Sequence, residues 1–554
     1  MSLEVDRRNF LKFGGAAFGF QALGLGTLLA ACGGEDGSEV GAATATPTAA
    51  GDETVASAPS GGQTLHLPFN ADMQIPDPDI MYEGEGCYVM HSVYEGLLDY
   101  DYTSDSGAFR PQLAESWEVS EDLLTYTFLL RPDVKFHDGT PADADSWIKS
   151  FQRRLAVNQG PAYMVARVAE MSAPDPTTFV VTLAEPNNAF LHYLACPWRP
   201  FAVSPAAVAA NEVAGDLAQE WLKTHDAGTG PYTITEFLPG TGYQLGYFED
   251  WWGETPDFTT VRFDIVPDFS TQRLLLESGE ADISKSLGFR DLLAFQENPD
   301  FETYIIQAPA LITLWLNPTS GMLGANKELR RAIIQALDRK AILDPTYDGM
   351  VEVTNDFISP AVIPTGVTPF HQNYDPTVLA GLVDGLESKS IDLAYRESSG
   401  PPFRQMAELI QTQLATFGLD VTVRGMPTSQ MFAMNTGPED QFPDLLLTGW
   451  GGGGDALHFD TGARIQLRTG AKPLNWFNYA NAEVDAEMDL AILEPTVELT
   501  NAHYTTISEI VQEEAMLCPL GRDLLGIVTR AGISDVTFNP YIRYLVDVPA
   551  LQSE

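Results

Sequence analysis

Leu124, Tyr126, Phe128 and Leu130 alternate with Thr125, Thr127 and Leu129, a period of two that predicts a strand. Asp138-Gly139 then turns the chain. Asp143 is placed to cap a helix on which Trp147, Phe151 and Leu155 recur every four residues as a buried stripe. Upstream, Leu65 and Leu67 mark a first strand leading into the Pro76-Asp77-Pro78 loop, and Val89, Val93 and Leu97 mark a helix. Downstream, Val261, Phe263 and Ile265 alternate as a strand. Leu329, Ala332, Ile333, Ala336 and Leu337 trace one helical face, and Phe403, Met406, Ala407, Ile410, Leu414 and Phe417 another. Gly418 stands where a helix end favours a left-handed residue, and Val421 and Val423 open a strand directly after it. Helices that hand over to strands in this way predict an α/β fold. No fixed-period repeat is present, which sets aside solenoids and propellers.

The N-terminal segment has a different pattern. Arg7 and Arg8 precede Asn9-Phe10-Leu11-Lys12, an apolar stretch from Phe13 to Ala30, and Cys32, the signature of an export signal. The arginine pair resembles a twin-arginine signal, with Asp6 where such signals usually carry Ser or Thr. Leu29-Ala30-Ala31-Cys32 resembles a lipobox, in which cleavage before Cys32 exposes a thiol that receives lipid. The apolar stretch, about 18 residues and rich in glycine, is at the short end for crossing a bilayer. From Gly33 to Gly62 the chain is Gly, Ala, Thr, Ser and Pro with almost no large apolar residue, which predicts a flexible tether. The roughly 490 residues that follow exceed one hydrophobic core, so two or more lobes are expected.

Charge narrows the function. Acidic residues number 76 against 31 basic ones, spread along the whole chain, and such a surface repels phosphate backbones; nucleic acid is not an expected partner. After Cys32 the cysteines are Cys87, Cys196 and Cys518, which leaves room for one disulfide and excludes a disulfide scaffold. The histidines have no spacing that puts two ligands on one helix, so no protein-built metal site is expected; no cofactor is expected either. Asp99, Asp101 and Thr103 open like a calcium loop, but Ser104 and Arg110 occupy its glycine and glutamate positions. His137-Asp138-Gly139 reads as a turn rather than a catalytic pair. No Gly-x-Ser-x-Gly elbow and no His-Glu-x-x-His helix is present, which argues against a secreted hydrolase.

Several runs then match one family in order. They are Val93-Tyr94-Glu95-Gly96-Leu97, Pro111 to Trp117, and Tyr126 through Leu130 to Pro141; then Gly228-Thr229-Gly230-Pro231-Tyr232, Trp251-Trp252-Gly253 and Ser278 to Ile283; and finally Arg331-Ala332 with Ala336 to Arg339, Gly449-Trp450-Gly451, and Asn478 to Asn481 with Val484-Asp485. From Leu65 to about Leu545 the chain resembles the extracellular solute-binding proteins of family 5, the peptide-, oligopeptide- and nickel-binding group that serves ABC importers.

The resemblance implies a two-lobed periplasmic-binding-protein type II fold with an additional inserted subdomain and a ligand cleft between the lobes. The implied division is residues 1–31 export signal, 32–62 tether, 63–82, 200–308 and 522–554 lobe I, 83–199 an inserted subdomain packed on lobe I, and 309–521 lobe II. The chain would cross between lobes near Ala308 to Asn317 and return near Cys518 to Arg522. In peptide-binding members an aspartate after the Gly-Trp signature pairs with the peptide amine. Here Gly453 falls at that place by counting, so the anchor is absent or has moved to Asp455. Expected ligand contacts are Trp450, Gly452, Asp455, His458, Trp315, Asn317, Tyr82 and Tyr88.

The implied role is an exported capture protein for oligopeptides or similarly sized solutes: a monomer held at the outer face of the cytoplasmic membrane by lipid on Cys32, which closes on a small solute and docks on ABC permease subunits, without catalysis. Oligosaccharide or chelated-metal cargo, and a sensory role without a transporter, are the alternatives.

Overall fold

The alternation at 124–130 becomes the strand Thr125–Leu130, with Tyr126, Phe128 and Leu130 buried and Leu129 turned outward. With Ala114–Val119, Thr178–Leu183 and Val168–Asp175 it forms a four-stranded antiparallel sheet. The helix Ala144–Val157 starts as expected, Asp143 Oδ1 accepting the Ser146 amide at 2.9 Å, and Trp147 and Phe151 pack on Phe179. The stripe does not continue to Leu155, which is 37% exposed, because 3.6 residues per turn carry Arg154 beneath the helix instead. Both Arg153 and Arg154 are buried.

This computed structural model describes residues 63–553 apart from 74, 102–107, 286, 320, 360–361, 365–366, 368–372, 435–436, 450–455, 457, 472–473 and 538–545. Arg7, Arg8, Cys32 and the 32–62 tether lie outside the described residues.

A second sheet has the order Gln63–His66, Phe258–Asp264, Gly242–Tyr247, Tyr232–Leu238, its first pair parallel. Leu65, Leu67, Val261 and Phe263 are fully buried in it. The helix Gly86–Val93 shares this core through Cys87, Val89, Met90 and Val93, and the C-terminal Val546, Val548 and Leu551 return to it. Along the chain, Leu97 is the first residue of the core that continues under the inserted sheet. Gly228 and Gly230 pass so close to this helix that a Cβ would lie 2.0 Å from the Val93 carbonyl oxygen and 2.7 Å from its carbon, respectively, which accounts for the Gly-Thr-Gly run.

The third sheet is six-stranded, in the order Ile283–Ser284, Leu517–Arg530, Phe301–Leu316, Leu445–Thr448, Ser390–Arg396, Asp420–Met426. The helices Lys327–Ala336, Arg339–Tyr347 and Pro401–Ala415 bury their apolar faces on it, against Ile312, Leu314, Leu445 and Leu447. Gly418, with φ +85°, turns the chain from the last of these helices into Asp420–Met426, as the pattern predicts.

Phe301–Leu316 and Leu517–Arg530 connect the cores. They pair antiparallel from Phe301 opposite Arg530 to Trp315 opposite Leu517, with register shifts between Gln307 and Leu311 and between Ile312 and Thr313. On one side of these shifts, Tyr304 and Ile527 belong to the core of the Gln63–His66 sheet; on the other, Ile312, Leu314 and Leu520 belong to the core of the third sheet. Two α/β lobes joined by a paired double crossing, with an antiparallel sheet inserted, is the type II binding-protein architecture.

The inserted sheet also reaches lobe II. Its core continues into Phe459, Trp476, Tyr504 and Leu517. Asn188 Nδ2 donates to the carbonyls of Ala491 and Glu494 at 2.9 and 3.1 Å and to Thr500 Oγ1 at 3.3 Å, and the Asn188 amide donates to the Ile492 carbonyl at 3.1 Å. Cys87, Cys196 and Cys518 are buried, and no disulfide joins them among the described residues.

Candidate functional site

The Pro-Asp-Pro loop precedes Tyr82 and is held by buried ion pairs. Asp77 and Asp79 are buried, and Arg153 meets both: Nη1 to Asp77 Oδ1 at 2.8 Å, Nη2 to Asp77 Oδ2 at 2.7 Å and Nη1 to Asp79 Oδ2 at 2.6 Å. Arg154 donates to Asp79 Oδ1 at 2.8 Å and to the carbonyls of Pro78, Trp198 and Arg199. Burial pushes the Asp77 carboxyl upward against the pull of Arg153, while paired carboxylates raise Arg153 despite its burial. This network fastens the loop to the helix Ala144–Val157 and fixes where Tyr82 emerges.

Tyr82 is half-buried, edge-on to Trp198 at 5.1 Å. Glu83 then closes the start of the helix Gly86–Val93, its carboxylate accepting the amides of Glu85 and Gly86 at 2.7 and 2.9 Å. Tyr88 is 1% exposed, with the Lys285 ammonium 4.4 Å from its ring centre and Glu85 3.6 Å from that ammonium. Burial lowers the Lys285 ammonium from its ordinary value, opposed by Glu85 and Glu83. Tyr82, Glu83, Glu85, Tyr88 and Lys285 are thus brought together, although Lys285 is about two hundred residues away in sequence from the rest.

Trp315 and Asn317 are placed by the crossing strand. Trp315 is 4% exposed, its indole N–H buried with no partner among the described residues, facing Trp476, Phe477 and Met516. Asn317 is 1% exposed; Nδ2 donates to the Pro443 carbonyl at 3.2 Å, and Oδ1 accepts from Thr319 N at 3.0 Å. Trp315 packs against these side chains, and Asn317 holds the loop that follows the strand.

Trp450, Gly452, Gly453 and Asp455 lie outside the described residues. The ends of that loop are described. At Gly449 a Cβ would stand 2.7 Å from Phe403 Cζ and 3.3 Å from Asp523 Oδ2, so only glycine fits where Leu445–Thr448 ends beside the return strand. Asp523 accepts from the Tyr347 hydroxyl at 3.2 Å. At the other end, Thr461 Oγ1 donates to the Ala456 carbonyl at 2.7 Å. His458 is half-buried, 5.3 Å from the His192 ring and 6.2 Å from Tyr504, with Nδ1 unpartnered. Burial, then Arg464, holds its imidazole down at about 4, so it is neutral at neutral pH.

His137 behaves as a turn residue: its ring nitrogens bond Asp226 and, at 2.9 Å, the Gly230 carbonyl. A cavity of about 520 Å³ borders Glu95, whose burial raises it to about 7 against hydrogen bonds from Trp252, Thr229 and Trp251. Every residue lining that cavity belongs to 88–112, 199, 231–257 or 535–552, so the crossing strands do not reach it, and Tyr88 borders it as well as the Lys285 ammonium. Among the described residues no group of three or more His, Cys, Asp or Glu is arranged to hold a metal, and no helix is long and apolar enough to cross a membrane.

With two cores and a double crossing in place, the sequence comparison decides the family. Residues 108–460 match the profile of the bacterial extracellular solute-binding proteins, family 5 Middle. The chain belongs to this family. Among its family 5 relatives, the probable D,D-dipeptide-binding periplasmic protein DdpA of Escherichia coli K12 is 26% identical over 86% of this chain and 92% of its own length. The nickel-binding periplasmic protein of the same organism is 26% identical over 85% and 90%. Among solved structures, the ABC transporter substrate-binding protein CtaP of Listeria monocytogenes superposes with TM-score 0.77 at 21% identity, covering 89% of this chain and 99% of that one. NikA of Brucella suis in complex with Fe(III)-EDTA gives 0.74 at 23%, covering 89% and 100%. These structural likenesses bear on the fold; the family is one of binding proteins.

Proposed function

We propose that this family 5 protein is the extracytoplasmic capture subunit of an ABC importer, anchored by lipid on Cys32 and closing on peptides or similarly sized solutes. The paired strands Phe301–Leu316 and Leu517–Arg530 carry the reading, since they are the one described connection in which both cores share a continuous ladder, interrupted by register shifts at its middle. A ladder broken there bends at little cost, and a solute touching both lobes stabilises the closed form by its differential contacts. No bond-making step is needed.

The relatives named for D,D-dipeptide and nickel support both a peptide and a chelated cation as cargo. Native mass spectrometry of the purified protein for a retained solute, with small-angle scattering before and after its removal, tests the capture role. A retained solute and an expansion on its loss are expected; turnover of that solute would refute it. Replacing Cys32 with serine is expected to abolish incorporation of labelled fatty acid, and labelling that persists would refute the anchor.

A further inference from the structure

The return strand carries a charge that the fold does not use. In an antiparallel ladder directly opposed residues lie on one face, and that face repeats every second residue. Trp315, Leu446 and Leu517 form one row, Thr313, Thr448 and Pro519 the next, and Leu311 with Arg522 the next, the extra residue Leu520 keeping Arg522 on this face. Arg522 therefore stands on the face opposite the Ile312, Leu314 and Leu447 core, at the row where pairing shifts between the lobes.

Among the described residues, three cations form neither a hydrogen bond nor an ion pair. Lys149 and Arg290 are exposed; Arg522 is half-buried. Its Nε is buried and unpartnered, and the Thr448 hydroxyl one row below is buried and unpartnered as well. Asp356 and Glu352 are the charges that act on it, without forming an ion pair with it. Leaving a guanidinium half out of water and unpaired is unfavourable. In a chain with 76 acidic residues a pairing carboxylate is easily supplied from within, yet none is bonded here.

We infer that Arg522 receives a carboxylate of the solute, which makes the cargo an anionic or zwitterionic molecule with a free carboxyl group. The planar fork of the guanidinium matches a carboxylate bidentately. This assignment rests on the capture reading above.

The test is equilibrium dialysis of the purified protein against short peptides prepared as free acids and as the matching C-terminal amides, with bound peptides quantified by mass spectrometry. Acids are expected to be retained about 10- to 100-fold over amides, a preference lost in Arg522→Gln and partly kept in Arg522→Lys. Amides binding as well as acids overturns the assignment in the unmodified protein, whether or not the variants fold. A preference undiminished in folded Arg522→Gln overturns it too. In both cases capture itself stands. Retention of neither form removes the peptide-capture reading and this inference with it.

Discussion

Arg153 and Arg522 are both arginines withdrawn from water, and the protein treats them in opposite ways. Arg153 is 5% exposed, and its guanidinium meets two buried carboxylates and the Leu217 carbonyl; these contacts fasten the Pro-Asp-Pro loop and the chain at Leu217 to the helix Ala144–Val157. Arg522 sits on the crossing between lobes with no bonded partner. The first is a charge spent on structure, the second a charge kept for something outside the fold. Burial alone does not separate them; partner satisfaction does.

The largest effect should come from breaking the satisfied side. Arg153→Ala leaves the buried Asp77 carboxylate without its guanidinium partner, while Asp79 keeps Arg154, and is expected to cost about 3–5 kcal/mol in urea unfolding. A loss below about 1 kcal/mol would dissolve the contrast. Gly449→Ala, which drives a methyl into Phe403, is expected to cost about 1–3 kcal/mol, read in the same way.

His458 sharpens the comparison through pH. Its folded value of about 4 lies below the ordinary 6.5, so between these the unfolded chain takes a proton that the folded one refuses. Its contribution is complete above pH 6.5 and is lost as pH falls toward 4. His458→Phe is expected to recover stability on the order of 2 kcal/mol at pH 4.5 relative to its own effect at pH 7; parallel pH profiles would exclude this role. Trp450→Ala is expected to weaken solute binding about 3- to 10-fold by calorimetry. Smallest of all, Arg522→Gln should change unfolding stability by no more than about 0.5 kcal/mol, because no internal bond is lost.

The sequence made the fold readable wherever neighbours in the chain are also neighbours in space. The Thr125–Leu130 alternation, the Asp143 cap and the Pro401–Ala415 face are local patterns, and they hold. Leu155 fails because a four-residue rule drifts from the true helical period within two turns, and the residue that replaces it beneath the helix is an arginine. The Arg153 and Asp77 pairing spans 76 residues, and no periodicity reports it. The signal available was two adjacent arginines on the inner side of a helix, together with two aspartates in a proline loop. The position of Trp315 and Asn317 at the crossing is legible in the sequence, but strand position does not reveal which face a side chain takes. Lys285 beside Tyr88 likewise needed the folded sheet to appear.

The bonds of Asn188 have a mechanical consequence. Four hydrogen bonds from this one residue end on the carbonyls and hydroxyl that follow the helix Ala482–Ala491. When the lobes part, either these bonds rupture together or the inserted sheet is towed by lobe II as ballast. In the first case the residence time of a captured solute is governed by a clasp remote from the solute; in the second, the moving mass is larger than one lobe and the hinge must swing it.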